Sequence, residues 1–134
     1  MTSVNARAIW DSYTASWSAT EDESRLALFR DCLTDDCVYK DPNIETHGYE
    51  ELTAYMTRLQ QQISGASFVT REFVSHHDSA LIRWNMVDGS GTVINPGTSI
   101  GVFSKDGRLK SRTSHRLDPW GRDAISVDWP CSSS

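Results

Sequence analysis

Long apolar runs are missing from the 134-residue chain; the longest are a few residues, far short of the roughly 20 that a membrane helix needs. The opening MTSVNARAIW also lacks the apolar stretch of a secretory signal. Positive charge is scarce: 13 Lys and Arg stand against 18 Asp and Glu, for a net charge of −5. The electrostatic footprint of a nucleic-acid binder is therefore missing. The three cysteines have no framework spacing, which fits reduced thiols in a cytoplasmic protein. Cys32 and Cys37 form neither a C-x-x-C redox pair nor a zinc half-site. No G-x-S-x-G elbow, P-loop or G-x-G-x-x-G occurs, and the four histidines lack H-E-x-x-H spacing, so neither a nucleotide cofactor nor a catalytic metal is expected. No internal repeat or N-x-S/T sequon appears.

What is present suits one domain with a proper core: 38% of residues are hydrophobic and 23% charged. Val4, Trp10, Tyr13 and Trp17 recur at helical spacing, with Ile9 beside them. Thr20 and Glu23 match a capping box, which opens a second helix with Leu26, Phe29 and Leu33 on its buried stripe. Thr34-Asp35-Asp36 reads as a polar turn, Cys37-Val38-Tyr39 as a short strand closed by Asp41-Pro42, and Asn43 to Tyr49 as a loop. A third helix begins near Glu50 and carries Leu52, Tyr55, Met56, Leu59 and Ile63 on one side, with Ser64-Gly65 as its stop.

The period then changes to two. Phe68–His77, Ala80–Val87, Val93–Ser104 and Leu109–Leu117 read as four strands, joined at His77-Asp78-Ser79, Asp88-Gly89-Ser90-Gly91 and Lys105-Asp106-Gly107-Arg108. Trp120, Trp129 and Ser132-Ser133-Ser134 form a tail with a frayed end. This order excludes a doubly wound parallel sheet. It predicts an α+β plan, a curved antiparallel sheet with helices on its concave side and a pocket between the layers.

The run Leu33-Thr34-Asp35-Asp36-Cys37-Val38-Tyr39-Lys40-Asp41-Pro42, followed by Gly48-Tyr49-Glu50-Glu51-Leu52, resembles the signature of the SnoaL-like families in the nuclear-transport-factor-2-like superfamily. Arg83-Trp84 and Asp106-Gly107-Arg108 agree with it, and the likeness runs from Ile9 to Leu117. That superfamily hosts ketosteroid isomerases, polyketide cyclases, dehydratases, epoxide hydrolases and non-enzymatic binding modules, so function does not follow from fold. The resemblance implies a conical half-barrel around three N-terminal helices, an internal apolar pocket and, commonly, a homodimer packed through the sheet. By the same resemblance Asp41 takes the place of the isomerases' general base. Tyr13 takes that of the oxyanion-hole tyrosine, given a longer turn between the first two helices, and Ser99 stands where they carry a protonated aspartate.

Each of these residues also has a plainer reading. Asp41, desolvated at a pocket rim, becomes a better base near neutral pH; otherwise it caps a turn. The Tyr13 hydroxyl needs a buried partner, either a substrate oxygen or a backbone carbonyl. A two-residue turn at Asp78-Ser79 pairs His77 with Ala80 and Phe73 with Trp84. His77 then shares a face with Phe73, Ile82, Trp84 and Met86, either as a proton shuttle at the pocket mouth or as a hairpin-end histidine in water. His115 alternates with Leu109 and Leu117, as a core histidine or a pocket acid. His47 lies in the loop after Asp41-Pro42, over a ligand or simply exposed. Trp17, Tyr39, Tyr55, Met56, Phe73, Trp84, Met86, Ser99 and Phe103 are the expected pocket lining. Leu81, Arg83 and Asn85 fall on the outer sheet face, a mixed surface compatible with a partner. Two functions are consistent with this pattern: a cofactor-free acid–base enzyme on a small hydrophobic carbonyl compound (isomerisation, ring closure or dehydration), or a non-catalytic small-molecule-binding or dimeric scaffold module.

Overall fold

The computed structural model describes residues 2–116. The Val4 side chain, Leu117, Trp120, Trp129 and the terminal serines lie outside what is described. Three helices, α1 (Thr2–Ser18), α2 (Asp22–Cys32) and α3 (Gly48–Gln62), pack on six strands: β1 (Leu33–Asp41), β2 (Ile44–His47), β3 (Ser67–His76), β4 (Ser79–Val87), β5 (Val93–Phe103) and β6 (Leu109–Arg116). No helix among the described residues is long and apolar enough to cross a membrane.

The α1 stripe follows its helical period, burying Ala6, Trp10, Tyr13 and Trp17. Trp10 Nε1 donates to Thr70 Oγ1 at 3.0 Å, which fixes α1 on β3. Helix α2 departs from the capping-box expectation: its N-cap is Glu21, in extended conformation and with no side-chain cap. Asp22 and Glu23 in the first turn and Arg30 in the last still complement the helix dipole. Arg25 is buried on this helix; its Nε donates to the Ser16 carbonyl (3.0 Å) and its Nη1 to Thr57 Oγ1 (3.0 Å), tying the three helices together. Helix α3 buries Leu52, Tyr55, Met56 and Leu59. Beyond it Gly65 turns at φ +74, where a Cβ would stand 2.7 Å from the Gly89 Cα, so two glycines let these turns touch.

The sheet runs β2-β1-β6-β5-β4-β3. It is mixed, because β1 pairs parallel with β6, which corrects the all-antiparallel expectation. Thr34-Asp35-Asp36 is strand, not turn. Three polar residues tolerate the extended backbone there because the β1–β6 register shifts between Leu33 and Val38 and leaves Asp35 and Asp36 exposed. Tyr49 Oη donates to the Leu33 carbonyl at 2.7 Å and holds the start of the strand. The expected loop after Asp41-Pro42 contains strand β2, paired antiparallel with β1.

Two register details decide which side chains face inward. The β3–β4 turn is His77-Asp78 rather than Asp78-Ser79: His76 pairs with Ser79 and Phe73 with Ile82. His77 takes φ 51 in that turn. A second irregularity lies between β5 and β6, where Phe103 pairs with Leu109 but Val102 pairs with Ser111. Simple alternation would carry Leu109 inward together with Ser111, Thr113 and His115. The bulge inverts the phase beyond Lys110, so Arg112 and Ser114 are buried and His115 is exposed.

Candidate functional site

Asp41 is the last residue of β1, and its two carboxylate oxygens have separate partners. Oδ1 accepts the backbone N–H groups of Asn43 (2.8 Å) and Ile44 (3.1 Å), an Asx turn that starts the β1–β2 hairpin. Oδ2 accepts the hydroxyls of Tyr39 (2.7 Å) and Tyr55 (2.6 Å). Tyr39 precedes Asp41 by two residues and so shares its strand face, whereas Tyr55 arrives from α3. The turn and the tyrosine pair thus use the same half-buried carboxylate. Burial pushes the Tyr39 phenol well above its ordinary value, against the pull of Arg112, and the phenol stays a hydrogen-bond donor.

Behind this carboxylate, Arg112 is buried to 4% exposure. Its Nη1 donates to Tyr13 Oη at 2.7 Å and its Nε to Ser99 Oγ at 3.2 Å. Its guanidinium carbon lies 4.9 Å from the ring centroid of Tyr39, 5.1 Å from Tyr13, 5.5 Å from Trp10 and 5.7 Å from Trp17, inside an aromatic cage. Burial opposes its charge, but the Tyr13 and Tyr39 phenols and Asp41 outweigh that and hold it above the ordinary arginine value. Tyr13, shielded from water, is pushed up to about 12 although Arg112 favours its ionised form.

Ser99 is the hub of the remaining network. Its oxygen accepts from Trp84 Nε1 (2.8 Å) and from Arg112, so its one proton goes to Ser114 Oγ at 2.8 Å. The Ser99 hydroxyl is therefore committed inside the protein. Tyr13, Tyr39 and Arg112, with Leu33, Cys37 and Leu52 among their neighbours, line a cavity of about 10 Å³, room for one water-sized group.

The structure places Tyr13, Trp17, Tyr39, Tyr55, Met56, Trp84, Met86, Ser99 and Phe103 in the buried interior, with Phe73 partly buried against it. Trp17 is ringed by Tyr13, Tyr39, Tyr55 and Phe68 at centroid distances of 5.2–6.4 Å. His77 is not at a pocket mouth; it occupies the exposed β3–β4 turn, 5.5 Å ring to ring from His76. His115 is likewise exposed, for the register reason given above. His47 is exposed, its Nε2 2.7 Å from Glu45 Oε2. Among the described residues no group of His, Cys, Asp and Glu is arranged to hold a metal.

Sequence reasoning missed Arg112. No motif marks it: on the neighbouring strand Gly97 leaves room for the Trp84 ring and Gly101 for the Leu109 side chain, and only Ser99 meets the guanidinium. Gly101 pairs with Arg112, and a Cβ at Gly97 would lie 2.2 Å from the Trp84 ring.

A family model described as a SnoaL-like domain matches residues 14–112. No curated protein matches the chain. Among solved structures, a candidate isomerase of the SnoaL-like family from Agrobacterium tumefaciens superposes with a TM-score of 0.78 at 20% identity, over 86% of this chain and 99% of that one. A candidate SnoaL-like polyketide cyclase from a Jannaschia species gives 0.69 at 13% identity, over 84% and 85%. A protein of ketosteroid-isomerase-like fold from Catenulispora acidiphila, in complex with trimethylamine, gives 0.64 at 14% identity, over 80% and 83%. At these identities the likeness speaks for the fold.

Proposed function

Because the chain belongs to the SnoaL-like domain family, we propose that it is a cofactor-free acid–base enzyme of the isomerase or cyclase type, acting on a small hydrophobic carbonyl compound. The observation that carries this reading is the Asp41 carboxylate, gripped by the Tyr39 and Tyr55 hydroxyls beside the caged Arg112 cation. The isomerase and cyclase descriptions of the Agrobacterium and Jannaschia relatives support it.

In this reading Asp41 is the general base. It takes a proton from the carbon next to a carbonyl; the C–H electron pair moves into the C–C bond and on to the carbonyl oxygen, and an O–H bond forms on Asp41. Tyr39 and Tyr55 aim the carboxylate, and Tyr13 donates a hydrogen bond to the developing oxyanion. Return of the proton to another carbon completes an isomerisation. Attack of the enolate on a second carbonyl closes a ring, and loss of a β-hydroxyl as water completes a dehydration. Net charge is unchanged in the first step, because the negative charge passes from Asp41 to an oxygen near Arg112.

Proton exchange in D₂O, followed by NMR on a panel of enones and β-diketones, tests this. Wild type should exchange an α-proton, and Asp41→Asn should lower the rate on the order of 10²–10⁴-fold. Undiminished exchange in Asp41→Asn overturns the assignment. Saturable binding with no exchange by wild type favours the binding-module reading, in line with the small molecule held by the Catenulispora relative.

We also propose a homodimer through the outer sheet face. Val74, Leu81 and Ile100 form one cross-strand row there, exposed by 54%, 37% and 48%, an apolar stripe that a partner would cover. Sedimentation should find a dimer that Leu81→Glu converts to monomer; a monomeric wild type overturns it.

A further inference from the structure

The interior cavity beside Arg112 holds one water-sized group, whereas a cleft of about 310 Å³ opens where β2 meets α3, a volume in the range of small-molecule sites. Strand β2 contributes Ile44, Glu45 and Thr46 to its walls. Helix α3 contributes Glu51, Ala54, Tyr55 and Arg58, which recur at the spacing of one helix side. The acidic and basic groups lie apart. Glu51 Oε1 accepts the His47 backbone N–H at 2.8 Å, and Glu45 Oε2 lies 2.7 Å from His47 Nε2, so both carboxylates already have partners at the start of α3. Arg58 follows Glu51 by two turns, roughly 10 Å along the helix, beyond the screening length of about 8 Å at physiological salt. Among the described residues it forms no ion pair; its guanidinium carbon instead lies 5.7 Å from the Tyr55 ring centroid. Thr46 is buried to 2% exposure, and its hydroxyl has no hydrogen-bond partner. A buried hydroxyl left unpaired is costly, and the cleft is the space from which a partner can reach it.

We propose that this cleft binds a small carboxylic acid as its carboxylate, and that Arg58 is the residue that selects the charge. A guanidinium presents two parallel N–H donors to a carboxylate, and the contact with the Tyr55 ring restrains the fork. Ile44, Ala54 and the Tyr55 ring take the carbon body. Rotation of Thr46 by one staggered position exchanges its methyl and hydroxyl, and the hydroxyl then donates to an uncharged oxygen of the ligand. Glu45 and Glu51 repel the carboxylate from their end, so the ligand lies in one direction only. Tyr55 joins the cleft to the Asp41 site, because its hydroxyl donates to Asp41 Oδ2 at 2.6 Å. On the reading of that site as one for carbonyl compounds, on which this proposal rests, the substrate is a keto acid anchored at Arg58. Arg58 then determines specificity and takes no part in the proton transfer.

The test titrates the full chain with 4-acetylbenzoate and with its uncharged methyl ester, followed by backbone amide NMR shifts. The acid should bind saturably, shift the amides of Thr46, Ala54 and Arg58, and bind about tenfold more tightly than the ester. Added salt should reduce that preference. Arg58→Gln, at an exposed position, should erase the preference, and Arg58→Lys should keep part of it. Thr46→Val, matched in shape, should weaken acid and ester alike about threefold to tenfold. The proposal is overturned if the acid does not bind, if the ester binds as tightly, or if the shifts lie elsewhere. It is overturned equally if Arg58→Gln keeps the preference or Thr46→Val binds both compounds as wild type does. Deuterium exchange at the acetyl methyl separates the two readings. Exchange that depends on Asp41 and proceeds equally in acid and ester keeps the enzyme reading and removes this one; an Arg58-dependent preference without exchange does the reverse.

Discussion

Each face of the β3–β6 sheet carries an exception to the usual partition of side chains. The inner face of β5 and β6 buries a guanidinium and two serines, while the outer face of β3 to β5 exposes Val74, Leu81 and Ile100. The inner polar groups are tolerated because they satisfy one another: Trp84 and Arg112 donate to Ser99, Ser99 donates to Ser114, and aromatic rings surround the cation. Each member therefore depends on the others. The outer residues touch little in the single chain and depend on nothing inside it. The inner face should be sensitive to every substitution and the outer face nearly silent, except in assembly.

The largest break should come from Arg112→Ala. It removes one donor from each of the Tyr13 and Ser99 oxygens and the cation from the cage, at a cost of about 3 kcal/mol or more in chemical denaturation. Gly97→Ala should follow at about 1–3 kcal/mol, because its Cβ would meet the Trp84 ring at 2.2–2.7 Å and the ring that must move also holds Ser99. Ser99→Ala, which adds no bulk, sharpens the same point: a comparable loss assigns the effect to the hydrogen bonds, a negligible one to packing.

Alkaline pH attacks the buried interior that this face packs against. Burial raises the Cys37 thiol to about 11 and the Cys32 thiol to about 12, from 9.0, and the Tyr13 phenol to about 12, from 10.0. An unfolded chain releases these protons first. Stability is therefore full below about pH 9 and should fall as pH climbs from there through 11 to 12. Denaturation midpoints across that range should show it, and a Cys32→Ala, Cys37→Ala pair should delay the onset to the tyrosine range. Smallest of all, Ile100→Thr on the outer face should change monomer stability by less than about 0.5 kcal/mol. A larger loss at concentrations where the protein is dimeric, vanishing on dilution, would assign that row to an interface.

Much of this was legible in the sequence. The aromatic stripe of α1, the apolar stripe of α3 and the meander from Ser67 onward follow from periodicity, because a helix or strand that buries one face must repeat its apolar residues at 3.6 or 2. Asp41 stood out because a carboxylate before proline ends a strand and starts a turn, as its Oδ1 does here. His115 and Arg112 escaped for one reason. A bulge has no composition of its own on β6, and a one-residue slip exchanges every inward residue beyond it for its neighbour. His77 escaped similarly, since His77-Asp78 and Asp78-Ser79 are equally plausible two-residue turns until the partner strand selects one.

The amino-acid sequence by itself determined the class of the fold, the order of its elements and the carboxylate at the end of β1, because those rest on local period and turn chemistry. The tertiary structure decided that β1 runs parallel to β6, that Tyr39 and Tyr55 converge on Asp41 from a strand and a helix, and that Arg112 sits among four rings. Each of these is a meeting of residues distant in the chain, fixed by strand register and by the need to satisfy buried donors together, and no local pattern records it.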